Sequence, residues 1–304
     1  MRNCVTKNLA GIVITILLLA ACSLPSSTKT ASTQSLSPAA SNEPTIEPTP
    51  TEVVNYVARV NGEGVWQSSY EASLKQFQAA QTEFGNLLEE GETAENRVMD
   101  ALINRALLSQ AAREAGFTAD AALVNDRMSQ LTEQAGGPEP FASWLGNNGY
   151  TQETFLIELA IEIEAAWQRD QIVNTVPSTA EQVKARQVYF YDAYQASRIY
   201  DQLMAGTSFD VIVTNNDPQN KGHLDWFPRG YLFYPELEAV AFSLQPGEFS
   251  EVIETEIGYH IIQVLEYDPA HQLSTDARLT AQTRVLEEWL TQQRDQSQVE
   301  IFSP

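Results

Sequence analysis

Gly258-Tyr259-His260-Ile261-Ile262-Gln263-Val264-Leu265 is the stretch that most limits what this chain can fold into. It is a short, β-branched apolar run that opens on a glycine and carries one ionisable side chain. Extended backbone sends successive side chains to opposite faces, so His260, Ile262 and Val264 share one face and Tyr259, Ile261 and Leu265 the other. Both faces are mostly apolar, which predicts a strand covered on each side. A histidine in such a strand is either a hydrogen-bonded core residue or a functional group, and this stretch alone leaves both open.

The residues upstream predict what covers it. Val183 to Tyr191 reads as a strand rich in β-branched and aromatic residues. Ala196, Ile199, Tyr200 and Leu203 then recur at helical spacing and stop at Gly206. Thr207-Ser208-Phe209-Asp210 opens a second short helix, and Asp217-Pro218 opens a polar loop. Gly222 to Phe227 returns as a strand, Pro235 sits in a first helical turn, and Phe249 to Ile253 forms a strand after the turn at Pro246-Gly247.

This order resembles the parvulin, or PpiC-type rotamase, family of peptidyl-prolyl isomerases. The matching residues are Arg186-Gln187-Val188, Phe209, Asp217-Pro218, Gly222-His223-Leu224-Asp225-Trp226-Phe227, Arg229-Gly230, Pro235-Glu236-Leu237-Glu238, Ala241-Phe242, Pro246-Gly247-Glu248 and Gly258 to Ile262. The resemblance implies a small antiparallel sheet surrounded by helices over residues 181–270. It implies that His260, Asp217 and Gln187 stand at the catalytic positions, and that Leu224, Phe227, Leu232 and Leu237 form the seat for the proline ring. Gln187 stands where the family has a second histidine; glutamine hydrogen-bonds but does not titrate near neutral pH. His223 and Asp225 replace Asp and Gly, Leu237 replaces an aromatic ring, and an extra residue lies in Tyr231-Leu232-Phe233-Tyr234.

Upstream of that module the chain reads as helical. Val57-Ala58-Arg59-Val60-Asn61-Gly62-Glu63 is a strand and a turn, and helices are expected at about 67–84, 94–115, 119–135, 139–147 and 152–173. In the last of these, Phe155, Leu159, Ile163 and Trp167 form an apolar stripe that Leu156, Ile157 and Ile161 widen. This region, 55–177, resembles the N-terminal chaperone region of SurA- and PrsA-like foldases. In such foldases the C-terminal segment, here 274–302 with Leu286 and Trp289 on its helix and a closing strand, packs back onto the N-terminal domain. The fold class is therefore α+β, with a helical chaperone-like domain and a parvulin-like domain.

The N-terminus carries its own signals. Arg2 and Lys7 precede an apolar run, Leu9 to Ala21, that is as long as a signal-peptide core and short for a spanning helix. It ends in Leu19-Ala20-Ala21-Cys22, which resembles the lipobox of bacterial lipoproteins and implies cleavage after residue 21 and lipid on Cys22. Residues 23–54 hold 18 Ser, Thr or Pro among 32, too few apolar groups to offset the entropy of ordering. As a tether they would span roughly 30 Å. The expected location is extracytoplasmic, anchored to the cell membrane.

Composition excludes some partners and chemistries. With 18 Lys or Arg against 40 Asp or Glu the formal charge is −22, which argues against nucleic acid. The histidines at 223, 260 and 271 lack metal-ligand spacing, and there is no nucleophile elbow or phosphate loop, so neither metal nor cofactor is expected. Prolyl isomerisation needs none. The resemblance implies exported, unfolded or partly folded polypeptides with Xaa-Pro bonds as clients, bound by an active isomerase or by a non-catalytic holdase with the same fold.

Overall fold

The computed structural model describes residues 56–302. Cys22, the signal segment and the 23–54 tether lie outside them. The described residues divide into two compact units, 56–165 together with 294–302, and 166–293.

The first unit begins with strand β1 (Tyr56–Val60) and strand β2 (Glu63–Trp66), joined by Asn61-Gly62. Both turn residues have positive φ, 51° and 86°, the type I′ geometry that Asn-Gly favours because its twist matches the strands. Helices α1 (Gln67–Phe84), α2 (Ala94–Glu114), α3 (Ala121–Gln134), α4 (Pro138–Asn147) and α5 (Gln152–Val173) follow. Thr93 and Asp120 cap α2 and α3, each accepting a hydrogen bond from the backbone N–H three residues on. One core joins the strands to α1 and α2 through Val57, Val60, Phe77, Val98, Leu102 and Ile103. A second joins α3, α4 and α5 through Leu131, Phe141, Leu145, Phe155 and Leu159.

The α5 stripe departs from its sequence reading. Ile157 is 43% exposed, whereas Glu158 and Glu164 are buried. Glu158 pairs with Arg105 on α2. Glu164 accepts from the Ser109 hydroxyl at 2.7 Å and from the Ala119 amide at 3.2 Å. Buried carboxylates are tolerated where such partners exist, and here α2 and the Ala119 amide beyond it supply them.

The second unit holds β3 (Thr179–Phe190), α6 (Ala193–Met204), α7 (Phe209–Asn216), β4 (His223–Pro228), α8 (Pro235–Ala241), β5 (Ile253–Thr255) and β6 (Gly258–Gln272). The strands form an antiparallel sheet in the order β4-β3-β6-β5. Val188, Phe190 and Ile261 pack on one face with Ala196, Leu203, Phe209 and Ile212 of α6 and α7. Val183, Ala185, Ile262 and Val264 pack on the other with Phe227 and Ala241. The sheet is covered twice, and His260 lies on the Ile262 face. The strand expected at Phe249 to Ile253 is displaced: only Ile253 of it lies in β5. Phe249 makes a single bridge to Gln263, and the Ser250 hydroxyl accepts from the Ile262 amide at 3.0 Å, a side chain standing in for a ladder carbonyl.

Helix α9 (Thr275–Gln296) and strand β7 (Val299–Ile301) complete the chain. The segment 274–302, read as one piece that returns to the N-terminal domain, is divided. Residues up to 293 fall with the second unit, where Arg284 donates to the Arg229 carbonyl at 3.1 Å and Gln282 to that of Val173 at 3.3 Å. Residues from 294 fall with the first unit, where β7 pairs antiparallel with β1. The fold is α+β, and no described helix is long and apolar enough to cross a membrane.

Candidate functional site

The site is built where β3 and β6 run side by side. Their register sets Tyr189 opposite His260 and Gln187 opposite Ile262, so Gln187 and His260 are diagonal neighbours on one face. His260 is 2% exposed. Its Nδ1 lies 2.9 Å from Gln187 Oε1, and its Nε2 lies 2.9 Å from Thr255 Oγ1. A carbonyl oxygen can only accept, so the ring carries its proton on Nδ1, and Nε2 accepts from the Thr255 hydroxyl. Burial pushes the imidazole below its ordinary pKa, with the negative charge of Glu236 acting in the opposite sense. The neutral ring is therefore held in one tautomer by partners on two strands.

Asp217 ends α7, and both of its oxygens are engaged. Oδ1 accepts from the Asn220 amide at 3.1 Å and Oδ2 from the Gly222 amide at 3.0 Å. These backbone donors, Asn220 first, hold the carboxyl below the usual carboxylate range. The turn they shape delivers Gly222, whose carbonyl accepts from the Gln187 amide at 2.8 Å. Gly222 has φ +67°, and a Cβ there would lie 1.9 Å from the Gln187 carbonyl oxygen. Only glycine allows this approach. Asp217 thus reaches His260 through Gly222 and Gln187.

The four apolar candidates divide by depth. Phe227 is fully enclosed, edge-on to Phe242, and forms the floor. Leu224 and Leu232 are half-buried against the same core. Leu237 is buried on α8. The loop that carries Leu232 is held by one carboxylate: Glu238 accepts from the amides of Gly230, Tyr231 and Leu232 at 2.6, 2.9 and 3.2 Å. In β4, Asp225 has φ 56°, a left-handed conformation beside the register shift between Ala185 and Arg186. This is the position where the parvulin pattern carries glycine, and the geometry gives the reason.

Thr255, Glu238 and Gly222 do work in this site that the sequence reading did not assign to them. Thr255 was discoverable in principle, since a β-hairpin brings it back to the histidine five residues on. Among the described residues, no three His, Cys, Asp or Glu side chains are grouped so as to hold a metal ion.

Two known protein families match parts of this chain. Residues 172–266 match the PPIC-type PPIase domain, and residues 48–151 match the SurA-like N-terminal domain. The foldase protein PrsA of Caldanaerobacter subterraneus is 28% identical over 233 residues, 68% of this chain and 72% of the relative. The chaperone SurA of Nitrosococcus oceani is 28% identical over 117 residues, 34% of this chain and 27% of the relative. Among solved structures, the peptidylprolyl isomerase PrsA of Bacillus anthracis is similar over 65% of this chain and 96% of its own, at 19% identity and a TM-score of 0.42. The second unit therefore defines a peptidyl-prolyl cis-trans isomerase of the parvulin type. The chain as a whole combines that PPIC-type domain with a SurA-like N-terminal domain, the pairing of a folding-assisting isomerase.

Proposed function

We propose that this chain catalyses cis–trans isomerisation of Xaa-Pro bonds in unfolded or partly folded exported polypeptides, outside the cytoplasm, while tethered to the membrane through lipid on Cys22. The observation that supports it most is the Gln187–His260–Thr255 network, on the sheet face whose core the half-buried Leu224 and Leu232 pack against. Amide resonance opposes rotation by about 18–20 kcal/mol, so a catalyst must bind the twisted amide better than either planar form. An apolar seat for the ring with a fixed, neutral hydrogen-bonding centre beside it suits that task. Gln187, Asp217 and His260 are the polar residues assigned to it; Asp217 serves by placing Gln187.

A protease-coupled isomerisation assay on the full chain tests the reading. Catalysis above the spontaneous rate, reduced at least about tenfold in His260→Ala at matched folded fraction, is expected. A second reading is favoured by two residues: Gln187, where the family pattern has histidine, and Leu237, where it has an aromatic ring, point to a holdase. Suppression of client aggregation with no turnover at high protein concentration would replace the first reading by the second. Lipidation is tested separately. Fatty-acid labelling of the expressed chain should disappear in Cys22→Ala, and labelling that persists in that variant removes the anchor from the proposal.

A further inference from the structure

The loop that carries Leu232 is gripped at one peptide group from two directions. The Arg229 carbonyl and the Gly230 N–H belong to that group, and in a trans peptide they point opposite ways. Glu238 of α8 takes the N–H at 2.6 Å, and it also takes the amides of Tyr231 and Leu232. Arg284 of α9 donates to the carbonyl through Nη1 at 3.1 Å. A carboxylate at the hydrogen end and a guanidinium at the oxygen end both follow the peptide dipole, so each bond strengthens the other. Gly230 has φ +76°, and a Cβ there would stand in the place of the Arg284 guanidinium. The glycine therefore meets a backbone requirement and clears the space that the arginine fills.

Other features bring α9 to the same loop. A cavity of about 430 Å³ is lined by Leu224 and Tyr231 together with Leu273 and Ser274, the residues that lead into α9. Burial, and then the charge of Asp276 in the first turn of α9, push the Tyr231 phenol up. Core packing does not account for Arg284. Its side chain is 44% exposed, and the Glu288 it pairs with lies 3.8 Å away and is more exposed still. Arg284 also lies beyond the residues, 172–266, that match the PPIC-type domain.

We propose that Arg284 is a positioning residue of the isomerase: by fixing the 229–230 peptide it holds Leu232 in the orientation that receives the proline ring. This rests on the isomerase reading, in which Leu232 belongs to the seat of the ring. Loss of the Arg284 bond leaves the Glu238 bonds in place, so the loop stays folded but samples orientations in which Leu232 is turned away. A seat formed only part of the time weakens binding by the fraction formed and leaves the step within the bound state as it was. The signature is a raised KM with kcat nearly unchanged.

The test is exchange NMR on the full chain with a Leu-Pro tetrapeptide over a range of concentrations, which gives kcat and KM. Arg284→Ala should raise KM about fivefold and change kcat less than about twofold. Arg284→Lys keeps a cationic donor at this place and should return KM to within about twofold of the wild type. The Gly230, Tyr231 and Leu232 amide resonances should shift in the first variant and recover in the second. Glu288→Ala removes only the exposed ion pair and should behave as the wild type. With a wild type that turns over, three results overturn Arg284 as a positioning residue and leave the isomerase reading standing. These are a KM in Arg284→Ala within about twofold of the wild type, an equal KM shift in Glu288→Ala, or a fall in kcat that only follows the folded fraction in thermal unfolding. A wild type at the uncatalysed rate overturns the isomerase reading and this proposal with it.

Discussion

His260 Nδ1 donates to Gln187 Oε1 across 2.9 Å, and this one bond fixes which nitrogen of the buried ring remains free to accept. The acceptor, Nε2, takes its proton donor from Thr255 Oγ1, which also lies 3.2 Å from the Gly258 carbonyl. When the ring gains a proton, the threonine hydroxyl can turn to Gly258 and accept from Nε2. The hydrogen-bonding needs of both ring states are met, so desolvation is what favours the neutral one.

That gives a pH dependence with a definite sign. The folded-state pKa of His260 is depressed below its ordinary value of 6.5. In the window just below 6.5 the unfolded chain binds more protons than the folded one, so stability must fall as pH drops through it. The loss stops once pH lies below the folded pKa. Thermal unfolding in this window should show the slope in the wild type and lose it in His260→Gln. An unchanged slope would place its origin elsewhere.

Gln187→Leu removes the Nδ1 acceptor and leaves a buried donor unpaired. The expected cost is about 1–3 kcal/mol of stability, with a loss of turnover larger than the loss of folded protein explains. Gln187→His restores a ring that can accept there, and kcat/KM should equal or exceed that of the wild type. Denaturant titration beside the isomerisation assay separates the two effects.

Asp217 acts through the turn it organises rather than by a free oxygen, since Asn220 and Gly222 occupy both. Asp217→Ala should therefore lower kcat/KM several-fold and shift the Gln187 and Gly222 amide resonances together. Gly222→Ala should reproduce that pattern more severely, because its Cβ would collide with the Gln187 carbonyl. Loss of turnover with both amides unmoved would return Asp217 to a direct role at the rotating carbonyl.

Asp225→Gly should stabilise the chain by ~0.5–1 kcal/mol, because φ of 56° strains an L side chain and suits glycine. The exposed carboxylate has no ladder role to lose. A lower unfolding midpoint in urea would count against the bulge as the source of strain.

Much of the site is legible in the sequence itself. The alternation in Gly258 to Leu265 placed His260 with Ile262, and the order of motifs placed Gln187 on the neighbouring strand. The spacing of Thr255 five residues before His260 permits a hairpin contact, but the register that puts its hydroxyl on the ring is set only by the turn between β5 and β6. Nothing in the sequence pattern marks Glu158 and Glu164 as core residues. Periodicity counts a glutamate as a solvent-facing residue, and the groups that make these two tolerable inside, Arg105 and Ser109, lie more than 50 positions earlier in the chain. The left-handed Asp225 was visible as a departure from a pattern, yet its cost appears only in the backbone angle.

The pairing of β7 with β1 has a consequence for how the chain is made. Asn61 and Gln298 exchange hydrogen bonds although 237 positions separate them. A polypeptide that emerges from its amino end presents β1 and the helices long before residue 299 exists, so one side of β1 stays open until residues 299–301 are made. Everything needed to complete the β3–β6 sheet is available earlier. Folding during emergence should then be ordered, with the prolyl isomerase sheet finished first and the β1–β7 pairing last. A ribosome-stalled chain cut short before residue 299 would carry a finished catalytic sheet and an incomplete first unit, itself a partly folded polypeptide.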